Sequence, residues 1–310
     1  MEAYNDFGNW IRKRLPYRVQ KISVDAGFTC PNRDGRLGTG GCVFCDNRTF
    51  NPSYCNPEKT IGEQLEEGKA FFARKYPEMK YLAYLQAYSN TYAPLDVLRQ
   101  RYEEALAVED VVGLVIGTRP DCVDEPTLDY LQELSERLPL MIVEYGIEST
   151  NDKTLRTIGR GHNFEKSRWA VKQTAQRGIL CGGHVILGLP GETHDDMIAQ
   201  AEALSELPID ILKIHQMQII SGTRLARQYA EQPFHVFAVE EYIKLIGEYL
   251  QHLREDIVVE RFVSQSPADM LIAPKWGLKN YEFTNLLNRY LKQNNIRQGA
   301  GRKATETSSG

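Results

Sequence analysis

Cysteine is scarce, with 6 in 310 residues, and no second closely spaced pair follows the first. A closed structural zinc centre is commonly assembled from two such pairs, so its usual signature is missing. No apolar run is long enough to cross a bilayer. The opening "MEAYNDFGNWIRKRL" also lacks the uninterrupted apolar stretch of a signal peptide. A cytoplasmic chain in a reducing compartment is therefore expected, its thiols available for metal or redox chemistry rather than disulfides. Strong charge of one sign is lacking too. A net charge of −4 gives no global attraction to nucleic acid or an anionic membrane, so a polyanionic partner has to meet a local basic patch. What is present, 42% hydrophobic and 25% charged residues, is an ordinary globular composition able to bury a sizeable core.

Along the chain, short apolar runs alternate with longer helical patterns. Strand-like runs fall at residues 17–25, 80–88, 111–118, 140–147, 180–189 and 209–217. Helix-like stretches cover 60–76, 94–107, 125–138, 165–178 and 193–207, and Thr60 and Glu63 are spaced for a capping box. Two further helices, 236–253 and 281–293, flank the short apolar run "DIVVERF". Such alternation implies parallel strands with right-handed crossovers, in an open doubly wound sheet or a barrel. In both, loops at the carboxyl ends of the strands build the site. The cysteine loop, "YSNT", "GTRPD", "GIESTN" and "GLPGET" all fall there, and five polar loops on one rim make the pattern of a barrel mouth. The expectation is α/β: a partial (β/α)6 TIM-type barrel over 17–235, after an amphipathic segment 1–16. A C-terminal helical extension over 236–298 and a disordered tail 299–310 would follow.

The first loop, "TCPNRDGRLGTGGCVFCDN", spaces Cys30, Cys42 and Cys45 by eleven residues and then two. A cuboidal iron–sulfur cluster held by three thiolates keeps one iron open for a substrate or cofactor. Gly35, Gly38, Gly40 and Gly41 let the loop wrap a bulky cluster with backbone N–H groups near the sulfurs. Phe44 is placed to shield it from water. Zinc with Cys55 or a distant histidine as fourth ligand is the competing reading. Cys122 and Cys181 read as small core hydrophobes.

Three cysteines after the first strand, an aromatic before the third, and "GLPGET" after the fifth strand resemble the radical S-adenosylmethionine (SAM) superfamily. The widened first gap, "GTRPD" (117–121) and "RTIGRGHN" (156–163) are similar to the branch containing the radical domain of the Elongator catalytic subunit. The likeness to a short, single-domain bacterial group spans about residues 4 to 300. It implies a 4Fe–4S cluster on Cys30, Cys42 and Cys45 and SAM chelated at the open iron. A reducing partner such as flavodoxin or ferredoxin is implied as well.

The resemblance also implies SAM contacts on the rim. Where relatives carry a Gly-Gly-Glu-like motif for the methionine amine, this chain has Ser89 and Asn90, then Thr91, without a carboxylate. Glu148 stands for a ribose contact, Arg160 for the partner of the SAM carboxylate, and His184 for an acidic ribose ligand of some relatives. Each has a structural alternative: Glu148 as a helix cap, Arg160 in a rim salt bridge, His184 in the core. Glu144 and Tyr145 are further residues that face the barrel interior in one reading.

Residues 275–303 carry Lys275, Lys279, Arg289, Lys292, Arg297, Arg302 and Lys303 against Glu282, interleaved with Trp276, Tyr281, Phe283 and Tyr290. Arg12, Lys13, Arg14, Arg18 and Lys21 form a second cluster. Both suit RNA, or alternatively a solvated face packing its aromatics on the barrel. The resemblance implies tRNA wobble uridine as substrate, with trimming of its carboxymethylaminomethyl side chain to aminomethyl. Too few residues follow the barrel for the acetyltransferase domain of Elongator-type proteins. Methylthio transfer is disfavoured by the missing second cysteine trio. Porphyrinogen oxidation and a non-enzymatic metal- or RNA-binding module are the alternatives.

Overall fold

The computed structural model describes residues 2–73 and 78–302. The expected helix end at 74–76, and residues 303–310 of the expected tail with Lys303, lie outside the described residues. Seven parallel strands form one sheet. β1 (Val19–Val24), β2 (Lys80–Leu85), β3 (Val111–Thr118), β4 (Leu140–Glu148), β5 (Leu180–Leu187) and β6 (Ile211–Gln216) lie side by side in chain order. A two-residue β7 (Ile219–Ile220) leaves the sheet, and β8 (Val258–Arg261) then pairs with β6. β7 pairs antiparallel with β9 (Leu271–Ala273) instead. "DIVVERF" is thus no mere spacer between helices: it adds a seventh strand to the expected six.

The strands are apolar on both faces because both are covered. Outside, α2 (Ile61–Ala73), α3 (Leu95–Leu106), α4 (Glu125–Arg137), α6 (Phe164–Gln176), α7 (His194–Ser205) and α9 (Val239–His252) bury one continuous core against the sheet. The expected capping box forms: Glu63 N–H donates to Thr60 Oγ1 (3.1 Å) and Thr60 N–H to Glu63 Oε2 (2.8 Å). Inside, Leu82, Tyr84, Val115, Ile142 and Val258 form a second core. Phe7, Trp10 and Ile11 of α1 (Phe7–Arg14) stopper its lower end. Lys21 of β1 reaches Glu260 of β8 at 2.6 Å, so the side chains of the two outermost strands touch. That contact identifies an incomplete barrel rather than a flat doubly wound sheet.

The segments assigned to the ends join this body. Asn5 and Asp6 run beside β8, with the Val259 N–H donating to the Asn5 carbonyl (2.8 Å), which covers an otherwise open strand edge. α10 (Asn280–Gln293) packs on α9 through Phe283, Leu287 and Leu291. Gly299 and Gly301 donate to the carbonyls of Leu250 and Gln251, each at 2.9 Å, and Arg302 pairs with Glu206 at 3.1 Å. Residues 299–302 are therefore held on α9, which corrects the expected start of the tail. No helix among the described residues is long and apolar enough to cross a membrane.

Candidate active site

The cysteine loop lies across the carboxyl end of the barrel, held by two short helices that periodicity had left unmarked. Val43 N–H donates to the Ile158 carbonyl just beyond α5 (Asp152–Thr157). Leu225 N–H, in α8 (Arg224–Glu231), donates to the Val43 carbonyl; both bonds are 2.9 Å. Phe44 packs against the apolar cluster so formed, with Ile158, Leu189 and Leu225, and presents part of its ring to the cavity. Cys30, Cys42 and Cys45 all line that cavity.

Each sulfur faces a side-chain N–H donor. Asn32 Nδ2 lies 3.4 Å and Arg160 Nη1 3.6 Å from Cys42 Sγ. Arg33 Nη2 lies 3.4 Å from Cys45 Sγ, and Arg119 Nη1 3.9 Å from Cys30 Sγ. The donors found are thus side chains rather than the loop amides expected from its glycines. Burial and then the neighbouring Cys42 push the Cys45 thiol up, with Arg33 opposing. Three crowded sulfurs wrapped in positive donors form the environment of metal-bound thiolates, so the residues present fit an iron–sulfur cluster. Among the described residues no three His, Cys, Asp or Glu side chains are gathered about one ion-sized point. A cubane attaches each thiolate to a different iron. Cys55 stands off the cavity wall, its thiol donating to the Ser23 carbonyl (2.9 Å) and pushed up to about 12 by burial, which removes Cys55 as a fourth ligand for zinc. Cys181 is fully buried in the outer core.

The other expected contacts divide. Ser89 lines the cavity, and its buried hydroxyl has no oxygen or nitrogen partner. Asn90 is off the wall: its amide donates to the carbonyls of Leu85 (3.0 Å) and Gly117 (2.8 Å), fastening the end of β2 to β3. Its Oδ1 is buried without a partner in the protein. Glu148, at φ +67° beside an irregularity in the β4–β5 register, pairs with Arg160 at 3.6 Å. It caps no helix, since Asn151 caps α5. Burial pushes the Glu148 carboxyl up despite Arg160 and Arg119. For Arg160, burial works against the charge, yet Cys42 and Glu148 outweigh it and hold the guanidinium protonated. Its Nη2 also donates to the Gly146 carbonyl, leaving Nε as its buried polar atom without a partner. A methyl at Gly146 would stand 2.6 Å from Glu148 Oε1 and 2.7 Å from Arg160 Nη2, so only glycine admits the pair there.

Below this rim the barrel interior is charged, at Glu144 and His184 and at residues beyond them. Glu144 accepts from Lys21 (3.0 Å), Lys213 (2.6 Å) and His184 Nε2 (2.9 Å). Glu260 completes a tetrad with Lys21 (2.6 Å) and Lys213 (3.4 Å). Burial, then Lys213, drives His184 down to about 4, so its ring is neutral at physiological pH. His184 lines the cavity and so is not a core histidine. Tyr145 faces the other way, bonded to Thr174 Oγ1 (2.8 Å) under α6. The missed residues carried one signal: charges at positions 21, 213 and 260 interrupt otherwise apolar strands.

The aromatic residues expected on an RNA face mostly turn inward. Trp276 stacks on Phe283 (5.7 Å, 10° between planes) and donates to the Phe237 carbonyl (2.9 Å), and Tyr290 packs on the core. Tyr281 alone of the four is exposed, at 60%. Lys21, a member of the second basic cluster, points into the barrel, whereas Arg12, Lys13 and Arg14 are exposed.

Glu192 of "GLPGET" accepts the Ser149 hydroxyl, tying the loop after β5 to that after β4. Burial raises this carboxyl from 4.5 to about 7. The folded state then holds a proton that the unfolded state has released, so stability is full below pH 4.5 and falls as pH rises through 7. Glu192→Gln should match the parent at pH 4 and exceed it by about 3 kcal/mol at pH 8. Urea midpoints at both values check this; a pH-independent difference would refute it.

Residues 32–204 match the model of the Radical SAM superfamily, and 209–293 that of the Radical_SAM C-terminal domain. The chain belongs to the radical SAM superfamily. Its members are enzymes that use SAM with a 4Fe–4S cluster. It is 33% identical over 298 residues to the "Uncharacterized protein YtqA" of Bacillus subtilis, covering 96% of this chain and 92% of that one. It is likewise 33% identical to "Protein YhcC" of Escherichia coli over 296 residues, 96% of this chain and 94% of that one. A "tRNA uridine(34) acetyltransferase" of Methanocaldococcus infernus is 24% identical over 215 residues, 66% of this chain and 39% of that protein. The solved archaeal Elp3 of the same organism, lacking its N-terminus, superimposes with a TM-score of 0.70 at 17% identity. That superposition covers 91% of this chain and 64% of that one, and it shows a shared fold.

Proposed function

We propose that the chain is a radical SAM enzyme acting on tRNA wobble uridine: the N-bound CH2 of the carboxymethylaminomethyl side chain is oxidised, with SAM as the two-electron oxidant, and water then releases the carboxymethyl unit as glyoxylate to leave aminomethyl. Cys30, Cys42 and Cys45 are the cluster ligands in this reading. The observation that carries it is their convergence on one cavity wall, each thiol facing an N–H donor. When bound, the cluster supplies the electron that splits SAM into methionine and a 5′-deoxyadenosyl radical, the hydrogen-abstracting agent.

The chain's own residues bind and orient. Phe44 excludes water beside the thiols. Ser89 and Arg160 Nε offer polar atoms toward SAM, and Glu148 and His184 flank the space for its ribose and adenine. Similarity to proteins named tRNA uridine(34) acetyltransferases supports the substrate. Electrons come from a flavodoxin- or ferredoxin-type donor.

The test is 5′-deoxyadenosine formation by reconstituted protein, with and without tRNA from cells lacking the gene, read beside the nucleoside profile. Expected are stimulation by that tRNA and conversion of its carboxymethylaminomethyl uridine. Equal 5′-deoxyadenosine in both arms and an unchanged profile would reject tRNA and favour a small-molecule substrate.

A further inference from the structure

Arg33 and Arg261 are cavity cations without a carboxylate partner among the described residues, and Arg33 is taken up by Cys45. Lys21 and Lys213 are matched by Glu144 and Glu260, Arg119 by Asp121 (2.8 Å), and Arg160 by Glu148. Arg261 lines the same cavity, yet no carboxylate lies within ion-pair distance of it among the described residues. Its Nε donates to His215 Nε2 (3.0 Å). Both terminal nitrogens of its planar fork have no protein acceptor there. Because His215 Nε2 accepts, the ring proton sits on Nδ1, a second donor without an acceptor. Burial and then Arg261 keep His215 neutral.

Depth selects the ligand. Arg261 is in register with Lys213, Lys213 with His184, and His184 with Gly146. It therefore sits inside the barrel, below the strand ends at Glu148 and Leu187. An RNA backbone phosphate stays outside such a mouth, whereas the side chain of an everted base enters it. Gln216 and Gln218 both bond the Ser264 carbonyl (2.9 and 3.2 Å) and so fix the adjoining wall.

We propose that Arg261, with His215, forms a carboxylate subsite at the cavity floor that holds the anionic end of the substrate. The subsite rests on these residues; equating the carboxylate with that of the modified uridine rests on the function proposed above. The fork of Arg261 takes the carboxylate in two parallel hydrogen bonds and sets the group to be cut level with His184.

The SAM-loaded, unreduced holoenzyme is titrated with two anticodon stem-loops, one carrying carboxymethylaminomethyl uridine and one aminomethyl uridine. The first should bind ~30-fold more tightly, the difference expected for charged hydrogen bonds. Arg261→Gln should abolish that preference without weakening the aminomethyl RNA, and Arg261→Lys, keeping charge but not the fork, should retain only part of it. Preference undiminished in both variants overturns the subsite. N-methylglycine is followed in parallel by saturation-transfer NMR and inorganic phosphate by phosphorus-31 line broadening. N-methylglycine bound by the parent and lost in Arg261→Gln, with neither RNA bound, keeps the subsite and rejects the tRNA reading. Phosphate bound in its place, with no preference between RNAs, overturns the carboxylate assignment.

Discussion

Cys42→Ala is expected to yield colourless protein after anaerobic reconstitution, without the broad band near 400 nm, and to bring SAM cleavage to background. The loss should be of order 10⁴-fold or more, since it removes the electron source rather than one contact among several. Cys42 is the most embedded of the three thiols, receiving Asn32 Nδ2 and Arg160 Nη1 together. Its removal leaves two sulfurs for a cluster that needs three and strips Arg160 of a partner inside the protein. Cys55→Ala is the matched control. Cys55 bonds only the Ser23 carbonyl and stands off the cavity, so iron content and SAM cleavage should stay at parental levels. Iron and sulfide analysis of both proteins decides the matter. Full cluster in Cys42→Ala, or its loss in Cys55→Ala, would reverse the ligand assignment.

The parts of this molecule legible in its sequence are those written in local periodicity. Six strands and the long helices follow from alternating runs, and the spacing of Cys30, Cys42 and Cys45 places the loop at the carboxyl end of β1. β8 escaped because a four-residue edge strand has too little pattern to separate it from a connection. α5 and α8 escaped for the same reason, at six and eight residues. Curvature is non-local: contacts such as that of Lys21 with Glu260, 239 positions apart, reveal a barrel rather than a sheet. The same non-locality hid the floor. Lys213 and His215 alternate with Leu212 and Ile214 as on any half-exposed strand, and nothing nearby in sequence announces that their side faces an enclosed interior. Asn90, a polar residue in a rim loop, has its amide nitrogen taken by two backbone carbonyls, a pairing that no local pattern announces.

The buried tetrad sets the second large effect. Glu144→Ala should lower stability by about 3–5 kcal/mol, because Lys21 and Lys213 would share one carboxylate, Glu260, in the barrel interior. Burial pushes the Glu144 carboxyl up, but Lys21 and Lys213 outweigh it and hold it well below 4.5. An acid depressed in this way stabilises the fold above pH 4.5 and ceases to as pH falls through its folded value. The acid limb of the stability profile should therefore flatten in the variant as the neutral plateau drops, both measurable by urea unfolding from pH 2.5 to 8. Combining Glu144→Ala with Lys213→Met removes the stranded ammonium, and the double variant should recover part of the loss rather than add to it. Strict additivity would mean that the two groups do not interact as their 2.6 Å separation implies. A buried ion network that an apolar core could replace at no loss of stability has its reason elsewhere. Here Glu144 also fixes the His184 ring on the cavity wall, so the variant should show weaker substrate binding as well as lower stability, while Lys213→Met alone, which leaves the Glu144–His184 bond in place, should show less of it.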